Sequence, residues 1–193
     1  AYDSLEANDS IVICDGTFTI NAGKDALHSE NEDDLSLGYI YISGGTFDIT
    51  SKSDGIQGTS IVQIDGGTIT IETCLEGIEG TYVQINDGTI KIYATDDGIN
   101  ATQKSTYYDV LVEFNGGNIT IDMGAGDTDA VDANGDIIVN DGIITITGNS
   151  SFDYDGTGEL NGGTVTVNGS VITTMPPQMM GGGGGGGMGN RRW

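Results

Sequence analysis

Positive charge is what this chain has least of. Only 6 residues are Lys or Arg, against 29 that are Asp or Glu, for a formal net charge of −23. Nucleic acid is a poor partner for such a surface, because phosphate contacts need clustered cations. Anionic membrane surfaces are disfavoured on the same ground. The charge favours solubility and cation binding, at the cost of self-repulsion. One His and two Cys argue against a zinc site. Cys14 and Cys74 occupy different repeat positions, so a disulfide is not expected and both read as free thiols. No apolar run is long enough to span a bilayer. The chain starts without Met and without a signal peptide, as a mature or trimmed product would. Low hydrophobicity with high charge is also the signature of disorder, but the regular spacing of Ile, Val and Phe argues against disorder here.

Glycine, by contrast, is abundant, and it recurs. A Gly-Thr-x-Thr-like strand opens at Gly16, Gly45, Gly67, Gly88, Gly117, Gly142 and Gly163, in the phrases DGTFTI, GGTFDI, GGTITI, DGTIKI, GGNITI, DGIITI and GGTVTV. Subtracting successive positions gives intervals of 29, 22, 21, 29, 25 and 21. Strand-type sequence at such a period predicts a solenoid in which each repeat covers the apolar face of the next. Apolar side chains stand three and five residues before each anchor (Ile64 and Val62, for example), save for Gly158 before the last, and two and four after it (Ile69 and Ile71). Each repeat therefore holds two short strands of period-2 alternation. The turn between them carries Asn, Asp or Gly. Asn86, Asn115, Asn140 and Asn161 share one position and are expected to stack, each bonded to the next coil. Antiparallel hairpins are the competing arrangement, and seven near-identical units argue against it. Outward positions of the second strand are rich in Thr. An ordinary exposed β-surface accounts for them, and Asp48, Lys91 and Ile143 interrupt any Thr-x-Thr array of the ice-binding kind.

A third segment follows the second strand: KDALHS, SDGIQG, LEGIEG, DDGINA and TDAVDA. Its acid is Asp25, Asp54, Glu76, Asp97 or Asp129, and two residues on, an apolar side chain returns as Leu27, Ile56, Ile78, Ile99 or Val131. This third inward row makes the coil three-sided. The residue three beyond the acid is His28, Gln57, Glu79, Asn100 or Asp132. Stacking brings Asp54, Glu76, Glu79, Asp97, Asn100, Asp129 and Asp132 to one corner, with Asp96 and Asp127 close by. Two carboxylates about 5 Å apart repel by roughly 1 kcal/mol in water and by several at an effective dielectric near 20. Lys24 and Lys52 are the only cations near in sequence. A hard cation with oxygen ligands neutralises such a corner, and calcium suits it better than magnesium because it takes 6–8 oxygens in flexible geometry. The alternative is that the acids only cap their own turns. No linear calcium motif of the loop or nonapeptide kind is present.

The stretch GGTITIETCLEGIEGTYVQINDGTIKIYATDDGINAT, residues 66–102, resembles the bacterial, mainly clostridial, cell-surface family of carbohydrate-binding right-handed parallel β-helix domains. The segments LEGIEG and DDGINA carry the likeness, KDALHS and SDGIQG fit its earlier coils, and FDYDGT (152–157) and TDAVDA depart from it. The repeat and the resemblance, which covers most of residues 10–174, together predict an all-β, right-handed parallel β-helix of about seven three-sided coils over residues 1–174, and composition sets apart a Pro/Met/Gly-rich tail over 175–193. The resemblance also implies cellulose- or pectin-type polysaccharide binding, bound calcium, no catalysis, and a place outside the cell or on its surface.

Tyrosines supply the stacking surfaces that sugar rings need. Tyr39, Tyr41 and Tyr82 have exposed parity at the first strands, Tyr93 follows a second strand, and Tyr107 and Tyr108 lie in a longer insertion. An anionic glycan would need bridging calcium, since the protein repels it. A pectate lyase of this architecture needs a tuned base beside its metal. Lys24 and Lys52 are the candidates, and both read better as counter-ions. A hydrolase of this fold is expected to show Gly-His-Gly and Arg-x-Lys, and neither is present. A structural role is the remaining alternative. Open solenoid ends present strand edges, and a head-to-tail contact that does not close makes a filament. In that reading Arg191 and Arg192 meet a neighbour's acidic body, with Trp193 as an apolar anchor.

Overall fold

A computed structural model describes residues 2–126 and 128–177. The chain winds through seven coils, each with one strand in each of three sheets, A, B and C in chain order. Coil 1 is β1 (Leu5–Ala7), β2 (Ser10–Ile13) and β3 (Thr17–Asn21). Coil 2 is β4 (Leu27–Ser29), β5 (Tyr39–Ile42) and β6 (Thr46–Thr50); coil 3 is β7 (Ile56–Gly58), β8 (Ile61–Ile64) and β9 (Thr68–Cys74). Coil 4 is β10 (Ile78–Gly80), β11 (Tyr82–Ile85) and β12 (Thr89–Ala94); coil 5 is β13 (Ile99–Ala101), β14 (Leu111–Phe114) and β15 (Asn118–Met123). Coil 6 is β16 (Asp129–Ala133), β17 (Asp136–Val139) and β18 (Ile143–Thr147); coil 7 is β19 (Ser150–Tyr154), β20 (Gly158–Leu160) and β21 (Thr164–Val167). A last strand, β22 (Ser170–Ile172), folds back antiparallel on β21.

Every other pairing is parallel and joins a strand to its equivalent one coil on, as repetition of the pattern predicts. Register follows the inward rows. Leu27 pairs Ile56, Ile56 pairs Ile78, Ile78 pairs Ile99 and Ile99 pairs Val131. These five side chains are fully buried, as are Val62, Val83, Val112 and Ile137 in sheet B. Each such burial is worth about 1.5–3 kcal/mol relative to exposure, so the rows hold the coils together. Phe18 and Phe47 stack with ring centroids 4.8 Å apart, which is the interstrand repeat expressed in aromatic rings.

All seven anchor glycines have positive φ, from 75° at Gly163 to 130° at Gly16. An L-side chain resists that conformation, and so the anchor recurs where β-branched residues dominate. The asparagine stack forms. Asn115 donates to Asn86, Asn140 to Asn115 and Asn161 to Asn140, at 2.8, 2.8 and 3.0 Å.

Two features go beyond the sequence reading. Coil 1 has a sheet A strand of its own, in which Leu5 and Glu6 pair Leu27 and His28. No anchor glycine precedes it to reveal the period. At the other end, Asn168 (φ 48°) and Gly169 (φ 78°) make a tight reversal. Asn-Gly between strands is a hairpin signal, and here it lays β22 along the edge of sheet C.

Two connections at the corner between sheets A and B are long. Residues 30–38 join β4 to β5, and residues 102–110 join β13 to β14. Between them, coils 3 and 4 turn the same corner with only Thr59 and Ser60, or Thr81. The two long connections meet across this gap. Ser105 Oγ donates to the Leu35 carbonyl at 2.5 Å and the Tyr108 hydroxyl to the Ser36 carbonyl at 3.3 Å. Thr81 Oγ1 accepts the Lys104 and Ser105 amides from below, at 3.0 and 2.7 Å. The resulting clasp lies between an acidic surface on sheet A and an aromatic one on sheet B.

Candidate functional site

Sheet A strands are only three residues long in coils 2 to 5. Each strand's middle residue faces outward, and the acid of the preceding turn lies beside it. Coil register therefore places two rows of polar side chains side by side: Asp3, Asp25, Asp54, Glu76, Asp97 and Asp129 in one, Glu6, His28, Gln57, Glu79, Asn100 and Asp132 in the other. Ligand oxygens of Asp54, Glu76 and Glu79 all lie within 4.8 Å of one another. Gln57 Nε2 donates to Asp54 Oδ2 at 2.8 Å and closely to Glu79, and Asn100 Nδ2 reaches Glu76 Oε2 at 3.2 Å. Next along, the Asp129 amide donates to Asp97 Oδ1 at 3.2 Å.

Burial first, then neighbouring carboxylates, raise four of these acids. Asp54 is pushed up to about 7, with Asp25 and Glu79 next to burial among the causes. Glu76 is pushed up to about 8, again by burial and then by Glu79 and Asp54. Asp97 stands at about 6, with Asp96 and Asp129 its nearest like charges, and Asp132 at about 7 with Asp97 and Asp129. Stacking has concentrated like charge where water is scarce.

Asn100 is 8 % exposed, and its Oδ1 is buried without a hydrogen-bond partner. A buried, unpaired amide oxygen is costly. Beside Glu76 it completes a donor set made only of hard oxygens. A half-turn of the Gln57 amide would add another. The residues present thus fit a hard divalent cation, which Asp54, Glu76, Glu79 and Asn100 would hold, while Asp97, Asp129 and Asp132 continue the same rows one coil on. Asp96 is exposed at the rim, and Asp127 lies outside the described residues.

Two lysines already serve this corner. Lys24 Nζ lies 3.5 Å from Asp3 and 3.2 Å from Asp25, beside His28, whose Nδ1 is 3.3 Å from Asp3. Lys104 Nζ lies 2.9 Å from Glu79 Oε2, with its side chain 31 % exposed. Lys104 is the residue that sequence reading misses, because it lies in a long connection outside the repeated strands. Lys52, expected to act as a counter-ion, is exposed and forms no ion pair among the described residues.

On sheet B the outward face carries the tyrosines. Tyr39, Ile40, Tyr41, Ile61, Gln63 and Tyr108 line a groove of about 150 Å³. Tyr82 continues the face, paired with Ile61 in register. Polar groups edge the rings. The Tyr41 hydroxyl donates to Asp65 at 2.8 Å, Gln63 Nε2 donates to the same carboxylate at 2.8 Å, and the Tyr82 hydroxyl donates closely to Glu113. Hydrogen bonds from Gln63, then Asn86 and Tyr41, hold Asp65 below the usual carboxylate range. Burial works against Glu113, but bonds from Gln84 and Tyr82 hold it low as well. Ionised carboxylates accept hydrogen bonds only, so this edge suits hydroxyl donors and repels anions.

The groove gathers Tyr39, Tyr41 and Tyr108, with Tyr82 alongside. It does not gather the other two candidates. Tyr93 lies within β12 rather than after it, so it faces out from sheet C, 41 % exposed. Tyr107 is 67 % exposed on the clasp and does not line the groove. Arg191, Arg192 and Trp193, the expected assembly residues, lie outside the described residues. Among the described residues no helix is long and apolar enough to cross a membrane.

A family model described as "Carbohydrate-binding domain-containing protein" matches residues 1–127 and, in a second alignment, residues 75–173. The two alignments overlap, as expected of an internally repeated chain. No curated protein and no solved structure matches.

Proposed function

The chain belongs to the family of carbohydrate-binding domain-containing proteins, and on that premise we propose that it is a non-catalytic, extracellular or cell-surface module that binds cellulose- or pectin-type polysaccharide. The groove of Tyr39, Tyr41 and Tyr108 carries this reading. Rings on a rigid sheet provide apolar faces for sugar rings, and Asp65, Glu113 and the amides of Gln63 and Gln84 meet sugar hydroxyls. The groove holds no cation to pair with a uronate, so it takes neutral glycan. The acidic corner takes calcium, which when bound neutralises stacked carboxylates and offers open positions to a uronate carboxylate. Burial works against the Lys24 ammonium, but Asp25 and Asp3 hold it above its usual range, as a fixed cation rather than a base.

Affinity electrophoresis in hydroxyethyl cellulose and in polygalacturonate tests this. The double variant Tyr39→Ala, Tyr41→Ala should lose at least about tenfold in affinity for the glucan, at roughly 1–3 kcal/mol for each stacking side chain, with unchanged circular dichroism. Chelator should abolish uronate binding and spare glucan binding. Uronate retardation that persists in chelator rules out the bridge. Glucan retardation unaffected by the double variant rules out the groove.

A further inference from the structure

The acidic corner and the aromatic groove are fastened to the same short segment. Lys104 and Tyr108 stand four residues apart on the clasp. One reaches into the cluster of Asp54, Glu76 and Glu79, and the other closes the groove over Tyr39 and Tyr41. We infer that Lys104 is a tethered counter-ion that competes with a divalent cation for Glu79, so that cation binding at this corner loosens the clasp and frees Tyr108 from the glycan groove.

The geometry sets the sign. Lys104 Nζ is 2.9 Å from Glu79 Oε2, a side chain only 7 % exposed. A carboxylate oxygen of Glu79 is one of the three that converge within 4.8 Å. An ammonium and a divalent cation on one carboxylate repel each other strongly in so dry a place. Removing Lys104 from Glu79 leaves the clasp held by its remaining bonds: Ser105 to Leu35, Tyr108 to Ser36, and the Thr81 hydroxyl beneath. Tyr108 has one side-chain bond to the facing loop, and it lines the groove with Tyr39 and Tyr41. The cation and the neutral glycan are therefore antagonists, and by linkage each weakens the other by the same factor. Calcium then shifts the protein from neutral glycan in the groove towards uronate at the corner.

This inference rests on the proposed function, in that it needs both ligands. Its test separates the two. Calcium chloride is titrated calorimetrically into the full chain and into Lys104→Met, which keeps the stem and removes the charge. Loss of the competitor should tighten one calcium equivalent by about fivefold or more, the range of ordinary site coupling, and Lys104→Arg should restore the weaker binding. Hydrogen exchange of residues 102–110 supplies a readout free of glycan. Calcium should speed exchange there in the parent protein, and in Lys104→Met exchange should already be fast. Cellohexaose affinity should fall with calcium in the parent and stay constant in Lys104→Met. Equal calcium affinity in parent and Lys104→Met, or exchange over 102–110 that calcium leaves unchanged or slows, overturns the inference. Glucan binding that still depends on Tyr39 and Tyr41 would then leave the proposed function standing.

Discussion

Glu76 and Asp54 sit in equivalent turns of successive coils, where like charge crowds them. Their raised values, about 8 and about 7, mean that the folded chain holds protons that the unfolded chain releases near pH 4. The sign follows from linkage. Stability from these groups is fully present below the unfolded range and is lost as pH rises through 6 to 8, the interval set by Asp97, Asp54, Asp132 and Glu76. In chelator the melting temperature should therefore fall between about pH 5 and pH 8.5. Glu76→Gln, which keeps the shape and removes one titrating charge, should flatten that fall and melt higher than the parent at the alkaline end. Thermal denaturation followed by circular dichroism checks both, and a melting temperature that climbs over this interval would show the corner to be well solvated.

Among the elements, the sheet A strands depend most on what precedes them. Gly77 opens β10, and a Cβ added there would run into the Gly98 carbonyl oxygen of the next coil and the Ile92 side chain. Gly55 and Gly98 meet the same kind of obstruction, whereas Ala26 and Ala130 fill the position in coils 2 and 6. Gly77→Ala should thus cost about 1–3 kcal/mol, the usual penalty of overpacking, read as a lower midpoint in urea. An unchanged midpoint would mean that coils 4 and 5 part easily. The same elements mark what could be read from sequence. Rows at fixed offsets from the anchor glycine, such as Ile78 and Glu79, were legible because stacking repeats each residue's environment. Coil 1, the β21–β22 hairpin and the clasp were not, because each occurs once. Asp3 and Glu6 have no anchor before them, and Lys104 meets Glu79 across 25 residues by a route that no period encodes. For the tyrosines, parity indicated which faced out but not onto which sheet, so Tyr93 was grouped with residues on another face.

For the whole molecule, a formal charge of −23 sets two kinds of repulsion at different ranges. Acids on opposite faces of the solenoid interact over distances longer than the screening length, about 10 Å at 0.1 M salt. Acids in adjacent coils stand closer than that, since the oxygens of Asp54, Glu76 and Glu79 converge within 4.8 Å. Sodium chloride therefore relieves the first kind and leaves most of the second. An ion that binds the corner relieves the second directly and stabilises only the folded chain, since unstacking the coils disperses its ligands. Raising sodium chloride from about 0.1 to 0.5 M shortens the screening length only about twofold, and should raise the melting temperature slightly. A few millimolar calcium at constant ionic strength should raise it more, and the gain should be larger near pH 8 than near pH 5, where protons occupy the same oxygens. Calcium that does no better than sodium at matched ionic strength would reduce the ladder to a charged face shared by seven coils. Sugar binding would then be left to the tyrosine groove alone.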